Sequence, residues 1–273
     1  MKHALILLVG LLAGAAQAGD LPRVASLNLC LDQLVLELAK PQQILGLSRF
    51  ARDARLAHRA EAAKTYPQLK GAEEILFLKP DLVLTSRFTP AATRDFLAAA
   101  RVKTEEFDDA TSFAQTREQI ARMGVLLGHE AAAAEKIARL DGAAARLKGA
   151  AQGRLRVLVL ARRGYVSGRS SLPGELLALA GVENAATLAR MGGFASLESI
   201  LALKPDALLL TGEAIGAEDQ GSAMLEHPAL AALFPPERRL YLPDHLTVCG
   251  GPMLAEAMDR LAEGLKTMTP RKP

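Results

Sequence analysis

The stretch E-E-I-L-F-L-K-P-D-L-V-L at 73–84 returns 125 residues later as E-S-I-L-A-L-K-P-D-A-L-L at 198–209. In both copies a short helical pattern runs into Lys-Pro-Asp, where it must end because proline disfavours a helical residue before it. The apolar run that follows is typical of a strand in a parallel sheet covered on both faces. The repeat therefore predicts two similar helix–turn–strand units, one in each half of the chain.

Each copy of the repeat follows another predicted strand–helix unit. In the first half strands are predicted at 23–27 and 44–47, and the helix between them has apolar residues at i, i+3, i+4 and i+7 from Leu31 to Leu38. In the second half a strand at 156–160 leads through a Gly-rich loop to a helix at 172–180. This alternation predicts an α/β fold with two lobes, each with a central parallel sheet flanked by helices.

The segment between the two predicted lobes has a helical pattern from 111 to 149, with a break at Gly128-His129. Residues 130–148 are Ala-rich and would form one helix about 28 Å long. An ordinary packed helix is one interpretation, but a stiff strut accounts better for its length and position. We therefore expect an N-terminal lobe at 19–110, a helical connector with one long rigid helix at 111–153, and a C-terminal lobe at 154–273.

The first 18 residues have the pattern of a secretory signal. Lys2 precedes an apolar run at 4–12, and Ala-Gln-Ala at 16–18 fits a small-residue cleavage site. The apolar run is too short to span a bilayer comfortably. Export as a lipoprotein would need a cysteine at the cleavage site, whereas Cys30 lies well beyond it. Residues 1–18 are therefore predicted to be a cleaved signal peptide.

The composition limits the function classes that need to be considered. The chain has 273 residues, of which 50% are hydrophobic and 23% charged, enough for a large globular core. A formal net charge of +3 does not suggest the concentrated basic patch of a nucleic-acid-binding protein. Tryptophan is absent and aromatic residues make up 4%, so stacking surfaces for bases or sugars are few. No nucleic-acid partner is expected.

Motifs for catalysis or metal binding are missing from the sequence. There is no P-loop, no G-x-G-x-x-G after a predicted strand, no H-E-x-x-H and no C-x-x-C. The five histidines are scattered, and two cysteines cannot build a cysteine-rich zinc site. We therefore predict no enzyme, no cofactor and no metal ligand. The alternatives are a carrier of free metal ions and an exported enzyme with Ser170, Ser171, Asp244 and His245 as loose candidates.

The candidate binding residues lie on loops after the predicted strands, because ligands of such lobes bind beyond the carboxyl ends of the strands. Six arginines, Arg163 among them, fall on these loops. Together with aromatic rings they suit a large ligand with anionic oxygens, although solvated loop arginines are the alternative. The candidate ligand-binding residues are Asn28, Arg49, Phe50, Arg52, Arg87, Phe88, Arg162, Tyr165, Arg169 and His245.

The two cysteines, Cys30 and Cys249, are predicted on cleft-facing loops, one in each lobe. In an oxidising compartment two cysteines often pair, and a disulfide here would tie the lobes together across the cleft mouth. Two free, mostly buried thiols are the alternative. We prefer the free thiols, because the sequence does not give the distance between the two residues.

Several motifs carry a family resemblance that spans essentially the whole mature chain. They are R-V-A-S-L-N at 23–28, L-K-P-D-L-V-L at 78–84, G-Y-V-S-G at 164–168, S-L-E-S-I-L-A-L-K-P-D at 196–206 and C-G-G-P at 249–252. With the signal peptide and the helical connector, they make the chain resemble the periplasmic substrate-binding proteins of ABC importers for ferric siderophores, haem and cobalamin. The resemblance implies a periplasmic protein that captures a metal chelate, a ferric siderophore or a cobalamin-type corrinoid, between its lobes. Haem and free metal ions are the alternative ligands.

The resemblance also implies a partner, an inner-membrane permease dimer with its ATPase, and we expect the binding protein to be a monomer. A glutamate of each lobe docks onto permease arginines in this family, and the matching positions are Glu73 and Glu198. The repeat places both at equivalent sites, which suits a two-fold symmetric partner. The alternative for each residue is an ordinary first-turn glutamate that the helix dipole favours. Family members that bind cobalamin often have tryptophan in the cleft, and this chain has none. Its arginines favour an anionic ferric siderophore over cobalamin.

Overall fold

The computed structural model describes residues 21–212 and 223–270. The predicted signal peptide at 1–18 lies outside the described residues. None of the helices in the described ranges is long and apolar enough to cross a membrane.

Four parallel strands form the first sheet: β1 (Val24–Ser26), β2 (Ile44–Gly46), β3 (Leu82–Ser86) and β4 (Thr104–Phe107). Their order is β2-β1-β3-β4. The helices of this lobe are α1 (Leu29–Leu38), α2 (Ala60–Ala63), α3 (Ala72–Leu78) and α4 (Ala91–Ala99). The predicted strands and the predicted first helix are confirmed. β4 is not predicted from the sequence, because this edge strand buries only Phe107 and so lacks an apolar run.

The second lobe contains a six-stranded sheet. Its strands are β5 (Arg156–Ala161), β6 (Tyr165–Val166), β7 (Glu183–Asn184), β8 (Gly193–Phe194), β9 (Ala207–Thr211) and β10 (Arg239–Leu242). Their order is β10-β9-β5-β6-β8, and β7 also pairs with β5. Helices of this half are α7 (Leu172–Leu179), α8 (Ala185–Leu188), α9 (Leu197–Ala202), α10 (Pro228–Leu233), α11 (Asp244–Thr247) and α12 (Leu254–Lys266).

The second sheet has a parallel core, as predicted, but it is not parallel throughout. β5, β7, β9 and β10 run parallel, whereas β6 is antiparallel to both β5 and β8. The segment after β5, which is predicted to be a Gly-rich loop, therefore also contains the strand β6. The sequence does not reveal β6 and β8, because two-residue strands are too short for a periodic pattern.

Two helices form the connector, α5 (Phe113–Leu127) and α6 (Glu130–Leu147). The predicted break is confirmed, since Gly128 ends α5 with a left-handed φ of 72°. The expectation of a strut instead of a packed helix is corrected, because α6 packs against both α5 and α12. Its buried residues Leu140, Ala143 and Leu147 belong to one apolar core that includes residues of both sheets. The helix is stiff because it is embedded in that core.

The Lys-Pro-Asp repeat has the same geometry in both lobes. The lysine before each proline has a left-handed φ, 47° in the first copy and 46° in the second, which stops each helix where the sequence predicts. The Asp81 carboxylate accepts a hydrogen bond from the Arg23 N–H at 2.7 Å, and Asp206 accepts one from the Arg156 N–H at 2.8 Å. Each aspartate thereby holds the start of the neighbouring strand.

Candidate ligand-binding cleft

A cleft separates the carboxyl ends of the two sheets. The first lobe lines it with the loops after β1, β3 and β4, including Asn28, Ser86 and Asp109, and the second lobe with residues 171–173 and 247–250. The floor cavity has a volume of about 250 Å³, and it shares Asn28, Cys30 and Val248 with a more open cavity of about 400 Å³ beside Phe50 and Phe88. The predicted position of a ligand, between the lobes, is thus a real depression.

A disulfide bond lies on the floor of the cleft and joins the two lobes. Cys30, in the first turn of α1, forms a disulfide with Cys249 of the other lobe, and their Cα atoms are 5.1 Å apart. Of the two alternatives for these cysteines, the preferred free thiols are therefore wrong. Gly250, next to the disulfide, allows its loop to pack closely on Ala110 and Thr116, because a Cβ there would lie 2.5 Å from the Ala110 Cβ and 2.7 Å from the Thr116 Oγ1.

Asn28 lies on the cleft floor as predicted, but its side chain forms hydrogen bonds that hold α1 and β3 in place. The Asn28 Oδ1 accepts hydrogen bonds from the backbone N–H groups of Cys30 (2.8 Å) and Leu31 (3.2 Å), so Asn28 caps α1. Its Nδ2 donates to the Ser86 Oγ at 3.1 Å. Asn28 therefore positions the disulfide and joins the ends of β1 and β3.

Two Arg-Phe dipeptides form the first-lobe wall, one after β2 and one after β3. The Arg49 guanidinium lies over the Phe50 ring with Cζ 4.6 Å from the centroid, and Arg87 lies over Phe88 at 4.9 Å. Both rings are exposed. The structure thus places these four predicted residues together as two arginine-stacked rings.

Carboxylates that the sequence analysis does not identify lie beside these arginines. Arg87 forms an ion pair with Asp109, 2.9 Å between Nη2 and Oδ2, and Asp108 also lines the floor. Both follow β4, the strand without a clear sequence signal, so the adjacent loop could not be assigned to the cleft. The cleft is consequently less cationic than the arginine count suggests.

The buried carboxylate of Asp32 holds the loop that carries Arg49 and Phe50. The side chain of Asp32, on α1, accepts hydrogen bonds from the Ser48 Oγ (2.5 Å) and the Ser48 N–H (3.1 Å), directly before Arg49. Burial raises the pKa of Asp32 to about 7, although hydrogen bonds from Ser26 and Ser48 offset part of this effect. Asp32 thus ties α1 to the loop that carries the first Arg-Phe dipeptide.

An exposed aromatic pair, here called the second-lobe wall, lies at the carboxyl end of β5 and outside the residues that line the two cavities. Tyr165 pairs with Ala161, the last residue of β5, and Phe194 is its partner across β6 and β8. The two rings pack edge to face, with centroids 5.4 Å apart. Tyr165 is a predicted site residue, whereas Phe194 is missed because β8 has no sequence signal. Arg162 lies at the same edge, where its side chain passes Gly212.

Three predicted residues lie away from the two walls. Arg52 donates a hydrogen bond to the Tyr66 carbonyl at 2.7 Å and holds its own loop. Arg169 lines a separate depression beside α7 and α8. His245 stacks on His58 of the other lobe, with ring centroids 6.0 Å apart; burial, and then the neighbouring His58, lower its pKa.

The predicted docking glutamates are exposed, and the described residues contain no metal-binding cluster. Across residues 21–212 and 223–270, no group of three or more His, Cys, Asp or Glu side chains could hold a metal ion. Glu73 and Glu198 lie in the first turns of α3 and α9, and both are exposed. A backbone N–H and the Ser196 hydroxyl keep the pKa of Glu198 below its usual value, so this carboxylate is ionised at neutral pH.

A family model described as "Periplasmic binding protein" matches residues 24–235. The chain belongs to this family. The binding protein has no significant match among curated sequences, but solved structures resemble it over most of its length. The periplasmic haem-binding protein RhuT from Roseiflexus sp. RS-1, in its apo form, has a TM-score of 0.70 and 25% identity, over 90% of this chain and 98% of that chain.

Two further solved structures share the fold. A periplasmic haem-binding protein from Pseudomonas aeruginosa has a TM-score of 0.72 and 24% identity, over 92% of this chain and 95% of that one. A protein of an ABC-type Fe³⁺-hydroxamate transport system from Saccharomonospora viridis DSM 43017 has a TM-score of 0.67 and 23% identity, with 90% and 93% covered.

Membership of the family establishes the general role of the binding protein. A member of this family is a binding protein of the periplasm. The family is one of substrate-binding proteins and not of enzymes, which confirms the prediction that the chain is not an enzyme. The predicted two-lobed fold is likewise confirmed.

Proposed function

We propose that this binding protein captures a metal chelate in the cleft between its lobes and delivers it to an inner-membrane permease. The observation that carries the proposal is the cleft itself, in which exposed aromatic rings and arginines lie at the carboxyl ends of both sheets. A concave site with apolar surface and a few polar groups is the usual form of a small-molecule site. The candidate ligands are a ferric siderophore, haem and a cobalamin-type corrinoid.

Delivery would use Glu73 and Glu198. Both carboxylates are exposed at equivalent positions of the repeated units, so the protein presents one negative charge from each lobe to a two-fold symmetric partner. Arginines on the permease would complement these charges and fix the orientation of the complex. In this proposal residues 1–18 direct export and are removed, the mature chain acts as a monomer without a nucleic-acid partner, and the lobes end near the predicted boundaries.

Haem is a second candidate favoured by one specific observation. The 25% identity with RhuT extends over 90% of this chain, and RhuT is a haem-binding protein. The exposed Tyr165 ring at the cleft edge supplies a phenol oxygen on the second-lobe wall. Cobalamin has less support, because the cleft contains charged groups that a corrinoid with amide side chains does not need.

Thermal unfolding of the mature protein, followed by circular dichroism, tests the proposal. The ligands are ferric hydroxamate, catecholate and citrate complexes, haemin and cyanocobalamin, with metal-free chelators and bare Fe³⁺, Zn²⁺ and Mn²⁺ salts as controls. A ligand at 100 times its Kd stabilises the folded state by about 2.7 kcal/mol, which raises the Tm by about 5–10 °C. A shift with bare metal salts alone, or with none of the chelates, would overturn the proposal.

A further inference from the structure

We infer that the cleft selects a chelate made of flat conjugated rings with anionic oxygens at their edges. This inference rests on the proposed function and narrows it to one chemical class. Two sources share that chemistry: porphyrins with carboxylate side chains, and siderophores that hold iron through catecholate or phenolate rings. Chelates with aliphatic hydroxamate or hydroxycarboxylate groups fall outside it.

The first observation is the exposure of four aromatic side chains at the carboxyl ends of the two sheets. Phe50 is 44% exposed and Phe88 65%, while Tyr165 is 44% exposed and Phe194 75%. The whole chain has only eight phenylalanines and three tyrosines, and four of these eleven rings are exposed at the carboxyl ends of the two sheets. Two rings come from each lobe, which matches a ligand held between them.

The second observation is the position of the arginines on the first-lobe wall. Arg49 and Arg87 each cover one face of the phenylalanine that follows them, at 4.6 and 4.9 Å. A cation over one face restrains the ring and leaves the other face for a flat ligand. The guanidinium N–H groups at the ring edges can then donate to anionic oxygens of a stacked ligand.

The third observation is the shape of the second-lobe wall. Tyr165 and Phe194 meet at 75° between their ring planes, so they form a corner instead of a flat plate. A corner of two rings contacts both the face and the edge of a planar ligand, the geometries that aromatic pairs prefer. Phe194, which has no sequence signal, is therefore a specificity-determining residue.

Two of the polar side chains on the same floor already have partners within the protein. Asn28 uses its Oδ1 to cap α1 and its Nδ2 to bind Ser86, and Asp109 is paired with Arg87. A hydroxamate or citrate complex gains most of its affinity from hydrogen bonds, whereas a conjugated ring gains it from stacking. The exposed rings of the two walls therefore favour a conjugated ligand.

Spectral titration of the purified mature protein with four probes tests the inference. Metal-free protoporphyrin IX reports stacking without metal coordination, and the ferric complex of 2,3-dihydroxybenzoate represents the catecholate source. A ferric trihydroxamate and cyanocobalamin represent the excluded chelates. We expect the protein to bind one of the first two probes at least tenfold more tightly than either of the last two, and the preferred probe identifies the source.

Variants assign the preference to the rings. Phe50→Leu combined with Phe88→Leu, and separately Phe194→Leu, keep apolar bulk but remove the ring, so each should weaken the preferred probe at least tenfold. Phe77→Leu is the matched control, because Phe77 is 86% exposed but lies on α3 outside the cleft. This variant should bind the preferred probe as tightly as the wild type does. Circular dichroism confirms folding of each variant.

Three outcomes would overturn the inference. If the hydroxamate or cyanocobalamin binds best, the ligand class is wrong while the proposed function stands. If the ring variants bind the aromatic probes as tightly as Phe77→Leu does, the rings do not select the ligand. If no chelate of any class binds, the proposed function fails as well.

Discussion

Cys30 and Cys249 are joined by a disulfide that links the first turn of α1 in one lobe to the loop after α11 in the other. The bond spans 219 residues of sequence and lies on the floor of the cleft, beside Asn28 and Val248. The lobes are therefore held at two places, by the packed helices α5 and α6 and by this covalent bond. The distance between the two walls of the cleft is therefore largely fixed before a ligand binds.

Removing the disulfide should destabilise the protein. For a loop closed over 219 residues, chain entropy predicts a loss of about 5.4 kcal/mol in the free energy of unfolding. Denaturant unfolding of a variant with Cys30→Ser and Cys249→Ser, compared with the wild type, measures the loss. A reducing agent should lower wild-type stability to that of the variant and leave the variant unchanged; equal stability of all four samples would contradict the prediction.

The pH dependence of stability should reveal Asp32. Its pKa is raised from 3.8 to about 7 in the folded protein, so between these values the folded state binds more protons than the unfolded state. The contribution of Asp32 to the free energy of unfolding therefore decreases as pH rises from about 4 to 7 and is constant above that range. Asp32→Asn should remove this dependence, as measured by urea unfolding at pH 5 and pH 8.

Asp53→Asn is the control for the Asp32 experiment. Hydrogen bonds from Arg55 lower the pKa of Asp53, so its contribution is lost only below the ordinary aspartate pKa. Between pH 5 and pH 8 the stability of this variant should change with pH as that of the wild type does. If Asp32→Asn also follows the wild type, the buried carboxyl does not titrate in this range.

Charge removal at Glu73 and Glu198 should separate transport from binding. Both carboxylates are exposed and neither lines the two cavities beside the disulfide, so the double Ala variant should keep its chelate affinity within twofold. Uptake through the reconstituted importer should fall at least tenfold. Glu74→Ala, one residue along the same helix, should transport normally, and a loss of chelate affinity in the double variant would count against docking.

A side chain at Gly250 should disturb the contact between the Cys249 loop and the connector. The Cβ of Gly250→Ala would lie 2.5 Å from the Ala110 Cβ and 2.7 Å from the Thr116 Oγ1, which costs about 1–3 kcal/mol as overpacking. Thermal unfolding should show a Tm lower by a few degrees. Gly192→Ala is the matched control, because nothing lies within 4 Å of its Cβ and its Tm should change little.

The sequence predicts elements with strong local signals and misses those without them. The apolar runs of β3 and β9 and the long pattern of α6 appear where expected. β4, β6 and β8 are not predicted, because an edge strand with charged residues and two-residue strands have no period to detect. Two residues of the candidate site are missed for the same reason, because Asp109 comes after β4 and Phe194 lies in β8.

The family signature and the two-fold repeat are determined by the sequence alone, because a Lys-Pro-Asp turn is set by neighbours in the chain. Only the tertiary structure decides that Cys30 reaches Cys249 and that Arg169 lies apart from Arg49 and Arg87. Those relationships depend on how two lobes pack around a shared core of helices. The distance between residues far apart in the chain results from many small packing contacts, and no local pattern records it.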